Sequence, residues 1–299
     1  MPFGRPSLRH AVAAAVVHRT RRVPPVTDAA GKRAELVALN RARQTHPPRW
    51  VHRHWEVETR DIGFPAYVLT PRSGARNRTL VHLHGGSFTA VAHPAQWLFA
   101  TRVAAATGAR LVFPAYPLAP EHTWRDSHDA LVGLVAKLAA EGPVALSGDS
   151  AGGGLALAVA QGVRDRGGPQ PTHLVMVSPW VDLTTSAPGT EAAGRRDPWL
   201  AHENLPVYAG FWAGSDDPAE LARPEVSPAL GDLTGLPPAL VLCGTRDVLH
   251  PACVELTRRA HQTGWGLDFV SALGMIHVYA LLPVPEAKTA LRRIVAFLA

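Results

Sequence analysis

The chain has 299 residues, 46% hydrophobic and 18% charged, a balance that excludes a disordered chain and suits one large domain with an elaboration. A net charge of +6 raises nucleic-acid binding, but the basic residues are scattered, densest from Arg19 to Arg22, and no nucleic-acid module signature occurs. Only Lys32, Lys137 and Lys288 among the 30 basic residues are lysine, a bias of source composition rather than of phosphate binding.

Residues 1 to 50 are helical in flavour, with helical spacing from Lys32 to Gln44 and no strand. Within them Ala11 to Val17 is an apolar run between Arg9 and His18-Arg19, at the short limit for a signal segment and without a clear cleavage site. No stretch approaches the roughly 18 apolar residues that span a bilayer, so a cytoplasmic, reduced location is expected. Trp55 to Thr59 and Ala66 to Thr70 read as an antiparallel pair at a sheet edge. From Leu80 onward short apolar strands alternate with amphipathic helices. The strands are Leu80–Leu83, Arg110–Phe113, Val144–Leu146, His173–Val177, Ala239–Cys243 and Leu267–Val270. The helices are Ala95–Thr107, Asp126–Glu141, Gly153–Arg166, Pro251–Thr263 and Pro285–Leu298. Such alternation implies a mostly parallel sheet covered on both faces. Residues 184 to 228 interrupt it with Trp199, Tyr208, Phe211, Trp212 and several prolines. An aromatic insertion after a sheet strand reads as a cap over the strands' C-terminal ends, although some of these rings simply pack the insertion itself.

Gly148-Asp149-Ser150-Ala151-Gly152 lies between the strand Val144–Leu146 and the following helix. A serine on so abrupt a turn is forced into a strained conformation that holds its Oγ above the sheet, with the Ala151 N–H aimed at a developing oxyanion. His84-Gly85-Gly86-Ser87 follows the first parallel strand, where a glycine turn exposes further N–H groups. An acid and then a histidine should follow the serine. Asp247 lies just past the strand Ala239–Cys243, with Asp182 and Asp232 as rivals; His277, in Gly274 to Tyr279, precedes the last helix. His250 and His261 fall too close to the Asp247 segment. Gly152-Gly153-Gly154 lacks the Gly-Lys-Ser/Thr of a phosphate loop. Cys243 and Cys253 show no metal spacing, and Cys243 reads as a buried small hydrophobe, so no metal is expected.

The motifs His84-Gly85-Gly86, Tyr116 to His122, Gly148 to Gly153, Ser178-Pro179-Trp180, Asp247 after its strand and Gly274 to Tyr279 run in order from residue 82 to 279. In these the chain resembles the bacterial hormone-sensitive-lipase-like family of α/β-hydrolase esterases. The resemblance implies an α/β-hydrolase fold: a mostly parallel central sheet, helices on both faces and a helical cap. It divides the chain into an N-terminal cap segment (1–50), a catalytic domain (51–183 and 229–299) and a cap insertion (184–228). It implies a serine carboxylesterase acting on short- to medium-chain esters through an acyl-enzyme, with no cofactor, and a homodimer as in many family members. Ser150, Asp247 and His277 are then the triad; Gly86, Ser87 and Ala151 are the oxyanion donors, with Gly85 shaping the turn; Glu121 and His122 brace the site. Activity should rise with pH through an inflection around 6 to 7. The third glycine of the family's oxyanion loop is Ser87 here, and the second acid that often follows the catalytic aspartate is His250. A non-catalytic receptor on the same fold would typically lose a triad member. Amide cleavage or lactone opening uses the same triad and stays open.

Overall fold

The computed structural model describes residues 6–22 and 24–299. Eight strands form a single sheet: β1 (Trp55–Asp61), β2 (Pro65–Pro71), β3 (Thr79–Leu83), β4 (Arg110–Pro114), β5 (Val144–Asp149), β6 (His173–Val177), β7 (Ala239–Gly244) and β8 (Leu267–Ala272). Their order is β1-β2-β4-β3-β5-β6-β7-β8. The first two strands pair antiparallel, β2 pairs antiparallel with β4, and every later pair is parallel. Ten α-helices accompany them among the described residues: α1 (Leu8–Thr20), α2 (Ala29–Ala42), α3 (Pro94–Thr107), α4 (His128–Glu141), α5 (Ala151–Asp165), α6 (Thr190–Gly194), α7 (Leu205–Ala213), α8 (Pro218–Leu221), α9 (His250–Thr263) and α10 (Pro285–Phe297). The sheet is the mostly parallel one that the alternation implies, in the α/β-hydrolase architecture that the resemblance implies.

The apolar strand runs are buried on both faces, so successive residues feed two cores. Val81, Leu83, Val112 and Leu146 pack with α4, α5 and α9 on one face. Leu80, Leu111, Phe113, Val175 and Leu240 pack with α3 and α10 on the other. Helix ends follow local chemistry. The His93 side chain and Gln96 form a reciprocal cap at the start of α3, Pro94 occupies its first turn, and Gly108 ends it in the left-handed region. Residues 184–228 carry α6, α7, α8 and no strand. Asn204 of this insertion accepts the Val26 N–H at 2.7 Å and donates to the Pro24 carbonyl at 3.0 Å, tying the insertion to the N-terminal segment.

Phe113 of β4 is fully buried and stacks on Trp97 of α3 with centroids 3.8 Å apart. Phe113→Ala is expected to cost about 3–5 kcal/mol of unfolding free energy. Chemical denaturation measures this, and a loss under about 1 kcal/mol would contradict such packing.

Candidate active site

β5 ends at Asp149 and α5 begins at Ala151, so Ser150 makes the strand-to-helix turn alone. Its backbone sits at φ 53° and ψ −125°. Four backbone bonds pin it: its N–H donates to the Val177 carbonyl (2.9 Å), and its carbonyl accepts the N–H groups of Gly153 (3.0 Å), Gly154 (3.3 Å) and Trp180 (2.9 Å). The loop after β3 passes so close that a Cβ on Gly152 would lie 2.1 Å from the Leu83 carbonyl oxygen. A Cβ on Gly85 would lie 2.6 Å from the Asp149 carboxylate and 2.8 Å from the Ser150 Cβ. Glycine at both positions is a steric requirement.

Three side chains from separate loops meet here. Ser150 Oγ lies 3.0 Å from His277 Nε2, and His277 Nδ1 lies 2.9 Å from Asp247 Oδ2. A carboxylate only accepts, so Nδ1 carries the proton and Nε2 receives the serine O–H. All three are buried. Burial alone would lower the His277 pKa, but Asp247 outweighs it and the imidazole lies above its ordinary 6.5. Burial alone would raise the Asp247 carboxyl, yet His277, the Leu249 N–H and the Ser178 hydroxyl hold it below its usual range. The Leu249 N–H donates to Oδ1 at 3.0 Å. Ser178 Oγ also accepts the Val278 N–H at 2.9 Å and so fixes the turn that carries His277.

The neighbouring loop is built around Asp149. Its Oδ1 accepts the Gly85 N–H at 3.2 Å, and Oδ2 accepts Gln96 Nε2 at 2.8 Å. His82 Nε2 stands 3.3 Å from Oδ1. Gly85 therefore shapes the turn and its N–H is committed. No described residue accepts the N–H of Gly86, Ser87 or Ala151. Ser87 takes φ 51° and Phe88 φ 61°, so serine occupies the left-handed region that glycine would favour. Phe88 stacks on Trp212 of α7 at 4.1 Å, and the Tyr116 hydroxyl donates to the His84 carbonyl at 2.6 Å.

A family model for the alpha/beta hydrolase fold matches residues 80–281. The chain belongs to the hormone-sensitive-lipase-like carboxylesterase family. It is 35% identical to an acetyl-hydrolase of Streptomyces hygroscopicus over 227 residues, covering 74% of this chain and 75% of that protein. It is 30% identical over 292 residues to carboxylesterase NlhH of Mycobacterium tuberculosis, covering 90% of each. The solved structure of an esterase from the bacterial hormone-sensitive lipase family superposes with a TM-score of 0.80 at 28% identity, covering 98% of both chains.

Within this esterase the rival acids lie elsewhere. Asp182 binds Thr184 and Ser186 in its own loop, and Asp232 is an exposed turn residue bonded to Thr234. His250 bonds to Ser271 at 2.7 Å, and His261 is exposed on α9. Glu121 and His122 do not reach the site. Both are exposed; Glu121 pairs with Arg41 of α2 at 2.8 Å, and His122 stands 3.8 Å from Asp126. Tyr116, not they, braces the loop after β3, through the His84 carbonyl. Cys243 is buried, as a small hydrophobe would be, but its thiol also approaches Asp247 Oδ2 at 3.5 Å. Burial holds that thiol protonated, so it can donate.

Sequence reasoning missed Asp197. This buried carboxylate, from the insertion, accepts the Trp199 N–H (2.7 Å), the Leu200 N–H (3.0 Å) and the Val248 N–H (2.8 Å). It thus fastens the insertion to the residue after Asp247, and Trp199 rests edge-on against His277 with centroids 5.8 Å apart. Burial and the charge of Asp247 push Asp197 up to about 6, against the pull of His277. Its negative charge in turn raises His277. Asp197→Asn is expected to move the inflection of the pH–rate profile to lower pH, because His277 loses a neighbouring anion. Stability should fall by about 1–3 kcal/mol as the Val248 N–H loses its acceptor. An inflection that stays in place would show that Asp197 acts on structure alone.

Proposed function

We propose that this esterase hydrolyses short- to medium-chain esters through an acyl-enzyme on Ser150. The observation that carries the reading is the unbroken relay of Ser150 Oγ, His277 and Asp247 at 3.0 and 2.9 Å. Ser150 attacks the ester carbonyl while its proton passes to His277 Nε2. His277 then gives that proton to the departing alkoxide, leaving the acyl group on Oγ. Water attacks the acyl carbonyl with His277 again as the base, releasing the acid and restoring the serine. Asp247 holds the imidazole in the Nδ1–H form and balances the imidazolium. The N–H groups of Gly86, Ser87 and Ala151 take the oxyanion in both halves, and Gly85 shapes the turn that carries them. The chemistry so written requires no metal or organic cofactor.

Residues 1–50 and 184–228 serve as the cap, and residues 51–183 and 229–299 as the catalytic domain. Residues 1–5 and 23 of the N-terminal segment lie outside the described residues. Trp199 against His277, and Trp212 stacked on Phe88, place aromatic rings of the insertion beside the catalytic loops. Trp212 is buried and backs Phe88, while the half-buried Trp199 stands beside His277, and a ring there suits compact acyl groups and a small-molecule substrate.

Turnover of a p-nitrophenyl ester series from acetate to palmitate tests this reading. We expect turnover highest at the short end, and Ser150→Ala to lower kcat by at least about a thousandfold with folding intact. Full activity in the variant, or hydrolysis of amides or lactones alone, would overturn it. The rate should rise with pH as His277 loses its proton. Because Asp247 raises that histidine, the inflection should lie above 6.5. A rate flat between about pH 5 and about pH 9 would remove His277 from the base role.

A further inference from the structure

α1 is apolar on two opposite sides, and only one is covered. On the inner side Ala14 and Val17 are buried against Ile276, and His10 Nε2 accepts the Ile276 N–H at 3.3 Å. Glu286 of α10 anchors the start of the helix, accepting the Ser7 N–H at 2.6 Å and its hydroxyl at 3.1 Å. On the outer side Leu8, Val12 and Val16 are 81%, 56% and 53% exposed. They stand four residues apart and form one stripe, with Ala11 and Ala15 exposed between them. A helix apolar all round normally has a partner on each side.

The charge around the stripe identifies that partner. From residue 1 to residue 27 the chain carries five arginines (Arg5, Arg9, Arg19, Arg21 and Arg22) and no Asp or Glu; the first acid is Asp28. Arg9, Arg19, Arg21 and Arg22 are exposed. Pairing this face with that of a second copy would bring two all-positive segments together, which like-charge repulsion opposes. A surface of anionic headgroups over an apolar interior meets both features at once. The helix has 13 residues, and no described helix is long and apolar enough to cross a membrane. A helix of this length is too short to span a bilayer but long enough to lie along its surface.

We propose that the outer face of α1 docks the protein on anionic lipid bilayers, with Leu8, Val12 and Val16 among the acyl chains and the flanking arginines on lipid phosphates. The docked surface lies one helix diameter, roughly 10 Å, from the loop that carries His277. Docking itself does not depend on catalysis.

The test is co-sedimentation of the full chain with vesicles of phosphatidylglycerol and phosphatidylcholine, against phosphatidylcholine alone, at low salt and at ~0.5 M salt. The protein should partition onto the anionic vesicles, far less onto the neutral ones, and be released by salt. Arg19→Gln with Arg21→Gln should weaken partitioning about twenty-five-fold, at about fivefold for each arginine. Leu8→Ser, Val12→Ser and Val16→Ser together should weaken it at least tenfold, with far-UV circular dichroism unchanged. The arginine pair packs against no core, so it remains informative if the triple variant fails to fold. Absence of binding to anionic vesicles at low salt would overturn the proposal. So would equal binding by wild type and both variants, or a dimer that the stripe variant dissociates in a protein that ignores vesicles.

Discussion

Ser150 is held in a backbone conformation that costs about 1–3 kcal/mol, and much of the surrounding structure exists to hold it there. Its N–H and carbonyl are bonded to β6 and to the segment that follows it. Its glycine neighbours let the loop after β3 close to within van der Waals contact. Asp149, one residue before it, collects Gly85 and Gln96, so the same turn that strains the serine also sets the loop that would receive an oxyanion. Ser150 and the loop from Gly85 to Ser87 are thereby held by one local network.

A second constraint is the cost of keeping Asp247 ionised inside the protein. A bare carboxylate fully removed from water would take up a proton. Here the Leu249 N–H, the His277 Nδ1–H and the Cys243 thiol approach its two oxygens, and the Ser178 hydroxyl adds to them. Asp197 supplies a further negative charge nearby, with its own oxygens occupied by three backbone N–H groups. The two acids divide the work. Asp247 orients the imidazole, while Asp197 ties the insertion to the Asp247 loop and raises the basicity of His277.

What could be read from the sequence was what local rules encode. Strand-helix alternation gives the parallel sheet because its central strands, β3 to β7, are buried on both faces. The elbow around Ser150 is legible because its glycines are demanded within five residues. Chain order and loop placement single out His277 but leave Asp182 and Asp232 beside Asp247; the family resemblance selects Asp247, and the structure brings it to His277, which meets Ser150. Asp197 was not legible, because it lies in a stretch without periodicity and meets Val248 across 51 positions. The roles of Glu121 and His122 were misread for a related reason. The motif Tyr116 to His122 gives residue identities but not side-chain direction; Tyr116 turns inward to His84, while Glu121 turns outward to Arg41. Cys243 was half read, since burial follows from its strand but the approach of its thiol to Asp247 depends on the next loop.

The N-terminal segment and the insertion are joined through Asn204, and each also touches the loops of the triad. α1 meets the His277 loop through Ile276, and the insertion meets the Asp247 loop through Asp197. Both segments therefore bear on residues adjacent in the chain to His277 and Asp247. Covalent trapping reads the nucleophilicity proposed for Ser150. Treatment with a fluorophosphonate ester followed by peptide mass spectrometry should find one adduct, on Ser150, forming far more slowly in His277→Ala. An adduct on another residue, or labelling of Ser150 at the same rate without His277, would contradict the account.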